Sequence, residues 1–129
     1  MEFFFRPQAI AVIGATPNRQ KGGNAIVRNL IIGFKGGIFP VNPNYPEIEG
    51  LTCYPTVSSI NKPVDLAIVF IPARQVPASV RDCASAGVKG VIIETGGFAE
   101  IGDDGRRLQD ELLQIRNETG IRIWGPNCI

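Results

Sequence analysis

The chain has 129 residues, enough for one domain, and its 44% hydrophobic and 19% charged residues are typical of a globular protein. A net charge of +1 creates no overall field that would attract nucleic acid or a membrane surface, so an anion must be bound locally. The lack of histidine excludes histidine-based zinc sites, general catalysis and phosphohistidine chemistry within these residues. Three well-separated cysteines indicate free thiols in a reducing cytoplasm, and no apolar stretch is long enough to span a bilayer.

Apolar runs of strand length alternate with helical patterns along the chain, which predicts βαβ units and a parallel sheet. The first strand is predicted from Ala9 to Ile13, and a helix with one apolar face from about Asn24 to Ile32, closed by Gly33. The second strand is predicted from Gly37 to Val41. Because Pro40 donates no hydrogen bond, this strand belongs at an edge of the sheet or ends near the proline.

The second half of the chain continues the alternation. Residues 45–62 are predicted to be irregular, with a short extended piece at 51–54 and a helical turn after Pro55. The next strand, from Val64 to Ile71, is apolar on both faces and is therefore predicted to lie at the centre of the sheet. A helix ending at Gly87, a strand at 89–95, a helix at about 105–119 and a short strand at 121–124 follow. Together they predict an α/β fold over residues 1–129, a Rossmann-like three-layer sandwich with a mostly parallel five-stranded sheet.

The connection after the first strand is the first candidate for a binding site. It runs from Gly14 to Gly23, longer than the roughly 2–6 residues of most βα connections, and it precedes a helix N-terminus. We expect Gly14 to leave space for a ligand rather than to serve folding, and Lys21 to provide a charge for a phosphate. Gly22 and Gly23 are expected to leave backbone amides open to the same ligand. The alternative interpretation is an ordinary turn that binds nothing.

Every predicted strand ends in small, polar or proline-containing segments, and in a parallel sheet all such ends lie along one edge, where ligands bind. Singly, each segment is ordinary turn chemistry; their coincidence favours a site. The segments are Gly14-Ala15-Thr16, Asn42-Pro43-Asn44, Pro72-Ala73, Thr95-Gly96-Gly97 and Gly125-Pro126-Asn127.

The fingerprints of two common nucleotide sites are missing. The glycine that follows Gly14 is Gly22, so G-x-G-x-x-G is not met, and the second strand ends in Val41-Asn42-Pro43 instead of the acidic residue that binds the ribose of NAD. Lys21 is not followed by serine or threonine, which excludes a P-loop. A phosphorylated, nucleotide-like ligand held by amides, one or two cations and small residues remains.

Several segments carry a resemblance to a known family. They are FFRPQAIAVIGAT, RNLIIGFKGGIFPVNPNYPEIEGLTCYPTV, VDLAIVFIPA, IIETGGFAE and RIWGPNC. In this order they resemble the N-terminal CoA-binding domain of NDP-forming acyl-CoA synthetases, a family that includes the α subunit of succinyl-CoA synthetase and ADP-forming acetate–CoA ligases. Similar domains also precede some protein lysine acetyltransferases. The resemblance implies coenzyme A as the ligand and the remaining domains or subunit of a synthetase as partners.

The resemblance also implies where coenzyme A lies, along the carboxyl ends of the strands. The implied residues are Gly14, Ala15, Thr16 and Lys21 at the phosphates, Val41, Asn42 and Pro43 at the adenosine, Ile71, Pro72 and Ala73 along one wall, Thr95, Gly96 and Gly97 beside the pantetheine, and Asn127 and Cys128 near the thiol. For Cys128 the simpler interpretation is a small buried filler, because no histidine is present to activate it.

Complete members of the resembled family continue beyond GPNC into a domain with a phosphorylated histidine and an ATP-grasp portion, and neither is found in these 129 residues. The resemblance therefore implies a CoA-binding fragment with no catalytic residue of its own, which does not form acyl-CoA alone. Three functions stay open: a domain of an acid–CoA ligase, the CoA-binding module of an acetyltransferase, and a stand-alone CoA-binding or redox-sensing protein. The sequence beyond Ile129 would discriminate among them.

Overall fold

The computed structural model describes residues 2–95 and 102–125. The predicted site residues Gly96, Gly97 and Asn127, together with Cys128, lie outside these ranges. The helices and strands, in chain order, are α1 (Glu2–Phe5), β1 (Ala9–Ile13), α2 (Gly22–Gly33), β2 (Gly37–Val41), β3 (Glu47–Ile48), β4 (Leu51–Thr52), β5 (Leu66–Val69), α3 (Val76–Ser85), β6 (Gly90–Ile93), α4 (Asp103–Thr119) and β7 (Arg122–Trp124). Short 3-10 turns cover Val57–Ser59 and Ala73–Gln75.

Five strands form one parallel sheet in the order β2-β1-β5-β6-β7. The apolar strand β5 occupies its centre and β2 one edge, which confirms both predicted positions. Pro40 lies in β2 and pairs in register with Val12 of β1. The other side of β2 faces no further strand of this sheet. The predicted fold class is therefore confirmed.

Alternate residues of each central strand face opposite sides of the sheet and enter two separate hydrophobic cores. In β1, Ala11 and Ile13 pack with the residues of α3 and α4, among them Val80 and Ile115. Ile10 and Val12 pack instead against α2, through Val27, and against the β3–β4 hairpin. The molecule thus has the three predicted layers, with α2 on one face of the sheet and α3 and α4 on the other.

The structure corrects several element boundaries. Helix α2 begins at Gly22, two residues before the predicted start. Its apolar residues at helical spacing, Val27, Leu30 and Ile31 among them, predict one buried face, but Ile31 is 44% exposed. The segment predicted to be irregular contains the antiparallel β3–β4 hairpin, while the 3-10 turn at Val57–Ser59 confirms the helical turn expected after Pro55. Within the described ranges, no helix is long and apolar enough to cross a membrane.

The sheet order places a crevice beside the first strand. Strand β1 lies between β2, which follows it in the chain, and β5, so the crossovers on its two sides run in opposite directions. At such a switch point the loops at the carboxyl ends of the strands separate and leave room for a ligand. The register brings Ile13, Val41 and Val69 level with one another, so the loops after β1, β2 and β5 start at the same height.

Candidate functional site

A cleft of about 750 Å³ opens at this crevice, within the range of about 300–1,000 Å³ typical of small-molecule sites. Its walls are the loops after β1, β2 and β5, the segment at 55–57 and the first turns of α3. The lining residues are Ile13, Gly14, Thr16, Lys21, Gly22, Gly23, Val41, Asn42, Pro43, Asn44, Tyr45, Pro55, Thr56, Val57, Phe70, Ile71, Pro72, Gln75, Ser79 and Asp82.

The cleft brings together most of the described residues that the sequence proposed for a site. Gly14, Thr16, Lys21, Val41, Asn42, Pro43, Ile71 and Pro72 line it. Ala15, Ala73 and Thr95 do not: the side chain of Ala15 is fully buried, Ala73 packs on a hydrophobic core, and Thr95 is buried at the end of β6. The side chains of Ala15 and Thr95 are therefore buried away from the cleft, and Ala73 is half-buried beside the lining residue Pro72.

Hydrogen bonds fix the relative positions of the cleft loops. The backbone N–H of Gly14 donates to the carbonyl of Val41 at 3.2 Å, and Asn42 Nδ2 donates to the carbonyl of Ala15 at 2.9 Å. On the other side, the hydroxyl of Thr95 accepts from the backbone N–H of Ile71 at 3.1 Å. Ala15 thus supports the site through its backbone carbonyl and Thr95 through its side-chain hydroxyl, and the direct ligand contacts that the resemblance implies for them stay predictions.

The reason for glycine at position 14 differs from the predicted one. Gly14 has a φ of +95°, which side chains rarely tolerate, and an added Cβ would come within 2.0 Å of the carbonyl oxygen of Phe70. The expectation that this position serves ligand binding rather than folding is therefore wrong. Gly14 is required by the backbone geometry and by the close approach of the loop after β5, although it also lines the cleft.

The two glycines at the start of α2 combine tight packing with open amides. A Cβ at Gly23 would lie 2.0 Å from the carbonyl oxygen of Gly14, and one at Gly22 would lie 2.0 Å from the ring of Phe70. Lys21 is the N-cap residue and forms no capping hydrogen bond through its side chain. In the described part of the chain, the backbone N–H groups of Gly22 and Gly23 have no protein acceptor, as is usual for the first turn of a helix.

Residues 14–21, called the first loop below, are shaped by local turns. The hydroxyl of Thr16 accepts from the N–H of Asn18 at 3.2 Å, and the side chain of Asn18 accepts from the N–H of Gln20 at 3.0 Å. These bonds satisfy polar groups inside the loop and direct Lys21 to the cleft, which it lines as an exposed residue. A cation therefore stands beside the open amides at the positive end of the α2 dipole.

The wall opposite the first loop comes from the other side of the sheet. Helix α3 contributes Ser79 and Asp82, three residues apart and hence on one helix face, and Gln75 precedes them. The carboxylate of Asp82 accepts a short hydrogen bond from the hydroxyl of Ser58 and another, at 3.4 Å, from its backbone N–H. Sequence reasoning missed this wall; the spacing of Ser79 and Asp82 at i and i+3 was the available signal, and it is weak because the same helix also carries Arg81 and Ser85.

A second polar cluster lies behind the first loop. The buried side chain of Asn24 donates from Nδ2 to the carbonyl of Thr16 and to Glu49 Oε2, both at 2.9 Å, and accepts from Arg28 Nε at 2.6 Å. Arg19 forms an ion pair with Glu49 Oε1 at 3.3 Å. The hydrogen bond from Asn24 lowers the pKa of Glu49, and the charge of Arg19 adds to the effect.

Comparisons with known proteins bear on this domain. A family model described as a CoA binding domain matches residues 8–129. Over all its residues the chain is 43% identical to ADP-forming acetate–CoA ligase I of Archaeoglobus fulgidus, of which it spans 19%. It is 41% identical to the α subunit of ADP-forming acetate–CoA ligase II of Pyrococcus furiosus, spanning 28% of that subunit.

A solved structure matches the fold closely. The apo form of the dinucleotide-forming acetyl-coenzyme A synthetase 1 from Ca. Korarchaeum cryptofilum has a TM-score of 0.92 to this chain at 42% identity. The match covers 98% of this chain and 27% of that one. The chain thus spans less than a third of the length of each of these three proteins.

Proposed function

This chain belongs to the family of CoA-binding domains, and on that premise we propose that its cleft binds coenzyme A, with the diphosphate against the first loop and the start of α2. The observation that carries the proposal is the coincidence of Lys21 with the open amides of Gly22 and Gly23 on one wall of the cleft. Amides at a helix N-terminus and a lysine are the groups that proteins use to hold phosphates.

The charges of the cleft support this orientation of the ligand. Among its described lining residues Lys21 and Asp82 are the charged ones, and their helices pack on opposite faces of the sheet. A carboxylate repels phosphate, so the diphosphate belongs near Lys21, and the uncharged parts of coenzyme A belong along the remaining walls. Those walls present apolar surface from Val57, Phe70 and Ile71.

We further infer that the domain works as the CoA-binding part of an ADP-forming acid–CoA ligase. The support is the identity, above 40%, with two ADP-forming acetate–CoA ligases over the whole chain. The rest of the ligase reaction belongs in this proposal to other domains or to a partner subunit. Within the 129 residues there is no histidine to carry a phosphoryl group, so we assign binding and no catalytic step to them.

Calorimetric titration of the Lys21→Ala variant with coenzyme A tests the proposal. Loss of a charge-assisted contact should weaken binding by about 1–3 kcal/mol, a factor of roughly 5 to 150. Adenosine, which lacks phosphates, should bind the variant and the wild type equally. Lys35→Ala is the matched control, because Lys35 is also exposed but precedes β2 at the amino end of the strand.

The control and the adenosine titration make the outcomes distinct. If Lys21→Ala binds coenzyme A as tightly as Lys35→Ala does, Lys21 does not contact the phosphates and the proposed orientation is wrong. If the wild-type chain itself shows no heat of binding with coenzyme A at millimolar concentration, the cleft is not a CoA site.

A further inference from the structure

The side chains behind the first loop link three elements that are distant in the sequence. Asn24 belongs to the first turn of α2, Thr16 to the first loop, and Glu49 to the turn of the β3–β4 hairpin. The amide of Asn24 divides its two N–H groups between the carbonyl of Thr16 and the carboxylate of Glu49, at 2.9 Å each. Among the described residues, the hydrogen bonds and ion pairs that link the hairpin to the first loop run through Asn24 and Arg19.

Asn24 and Glu49 influence the cleft only through the first loop. Neither Asn24 nor Glu49 lines the cleft, whereas Thr16, which Asn24 holds, does. The side chain of Asn24 is completely buried, so an N–H group that loses Glu49 loses the protein acceptor that satisfies it. Loss of the carboxylate would therefore favour a different rotamer of Asn24 and release the carbonyl of Thr16.

The hairpin turn that presents Glu49 is itself specialised. Glu49 has a φ of +51° and Gly50 a φ of +80°, the two positive values that a type I′ two-residue hairpin turn requires. Glutamate is not favoured in that conformation, and a glycine or asparagine would fit better. The neighbouring Ile48 is buried in the core and anchors the hairpin, so the carboxylate is held at a fixed position.

We propose that Glu49 is a positioning residue for anion binding, which holds the first loop, through Asn24, in the shape that directs its groups and Lys21 into the cleft. The proposal rests on the proposed function, because it assigns the phosphates of coenzyme A to that loop. The proposal predicts weaker binding of coenzyme A when the Glu49 side chain is removed, which the charge of Glu49 alone does not. A negative charge near the loop should repel a diphosphate, so simple electrostatics predicts tighter binding when Glu49 is neutralised.

Two variants that remove the same charge separate the two effects. Glu49→Ala removes the charge and the hydrogen-bond acceptor, whereas Glu49→Gln removes the charge but keeps a carbonyl oxygen for Asn24. Positioning therefore predicts that Glu49→Ala binds coenzyme A at least fivefold more weakly than wild type, and that Glu49→Gln stays within about twofold of it or binds more tightly. Electrostatics alone predicts that the two variants bind equally and more tightly than wild type.

Amide hydrogen exchange of the ligand-free chain provides a readout that does not depend on coenzyme A. We expect Glu49→Ala to accelerate exchange in residues 16–24 at least tenfold and Glu49→Gln to leave it near the wild-type rate. Ile48→Val is the control, because it weakens the packing of the same hairpin while keeping Glu49 and both its partners.

Each outcome decides the matter. Faster loop exchange and weaker binding in Glu49→Ala alone support the proposal. Equal behaviour of Glu49→Ala and Glu49→Gln, or an effect of Ile48→Val on the loop as large as that of Glu49→Ala, overturns it and leaves Glu49 a general stabiliser of the hairpin. If wild type fails to bind coenzyme A, the proposed function fails, and the exchange comparison still decides whether Glu49 positions the loop.

Discussion

Substitution of Gly14 by alanine is expected to destabilise the fold through two physical effects that the structure separates. The backbone at Gly14 has a φ of +95°, and an added Cβ would lie 2.0 Å from the carbonyl oxygen of Phe70. The conformational effect costs about 1–2 kcal/mol for a residue other than glycine. Overpacking against a neighbour costs about 1–3 kcal/mol, and a backbone carbonyl cannot rotate away as the end of a side chain can.

Together the two effects predict that the free energy of unfolding falls by about 2–5 kcal/mol. For a chain of 129 residues the unfolding entropy is about 0.27 kcal/mol/K, so the melting temperature should fall by roughly 7–18 °C. Urea titration followed by circular dichroism measures the free energy directly, and an unchanged m value shows that the unfolding transition is comparable in the two proteins.

Three other glycines serve as matched controls for the two effects. Gly87 has a φ of +87° with open space around an added Cβ, so Gly87→Ala should show the conformational cost alone, about 1–2 kcal/mol. Gly23 has no positive φ, but a Cβ there would meet Gly14, so Gly23→Ala should show the overpacking cost alone, about 1–3 kcal/mol. Gly33→Ala, with neither feature and at the end of a helix, should be neutral or slightly stabilising.

The series also specifies the result that refutes the reasoning. If Gly14→Ala is no less stable than Gly87→Ala, the contact with the Phe70 carbonyl carries no cost. The first loop must then move away from β5 easily, and a rigid cleft wall at this position is wrong. Such a variant should be titrated with coenzyme A as well, because a displaced loop alters the proposed phosphate contacts.

Two further predictions follow from the titrating groups. Burial, assisted by the charge of Asp82, raises the pKa of the Cys83 thiol to about 12. Peptide mapping should therefore find Cys83 resistant to alkylation at about pH 8 in the folded chain and reactive in urea. Rapid labelling of the folded protein would contradict its burial. Hydrogen bonds from Asn24 to Glu49 and from Gln114 to Glu118, with Arg19 and Arg81 adding their charges, lower the pKa of both carboxyls from the ordinary value of 4.5. The contribution of these carboxylates to stability is therefore complete above about pH 4.5 and is lost as the pH falls through the lowered pKa values. In urea titrations, the double variant Glu49→Gln, Glu118→Gln should lose less stability than wild type between about pH 5 and about pH 3. Equal losses in the two proteins would contradict this.

The sheet could be predicted from the sequence because its signals are local. Strand β5 is apolar on both faces and lies at the centre, and Pro40 marks an edge strand, each for a reason contained in a few adjacent residues. The strand limits were less predictable. The strand predicted from Val64 to Ile71 pairs only over Leu66–Val69, although the N–H of Phe70 still donates to the carbonyl of Ile13 at 2.8 Å.

The β3–β4 hairpin was missed because its local signal is weak. Its strands have two residues each, and its turn consists of Glu49 and Gly50, whereas such turns usually carry asparagine or aspartate before the glycine. What stabilises the hairpin is the burial of Ile48 in the core beside α2, a contact between distant parts of the chain. No pattern within the segment itself reports that contact.

The candidate site, like the fold, could be predicted from the sequence only in part. The residues at strand ends were predicted, since a parallel sheet places all of them at one edge, and most of those described do line the cleft. The wall from Ser79 and Asp82 was not, because it depends on how α3 packs against the sheet. The role of Gly14 was also misjudged: its neighbour, Phe70, is 56 positions away in the chain (70 minus 14) and becomes a neighbour only when β5 pairs with β1.

The length of the first loop, which suggested a ligand site, does not make the loop pliable. Phe70, which follows β5, packs closely against Gly14 through its backbone carbonyl and against Gly22, at the start of α2, through its ring. Asn42 holds the carbonyl of Ala15 from the end of β2, and Asn24 holds that of Thr16 from within α2. Each contact comes from a different element, so the protein itself holds the loop at several points. Because an ordered loop spares the entropy of immobilisation on binding, phosphate contacts made by this wall contribute more of their energy to affinity than the same contacts from a disordered loop.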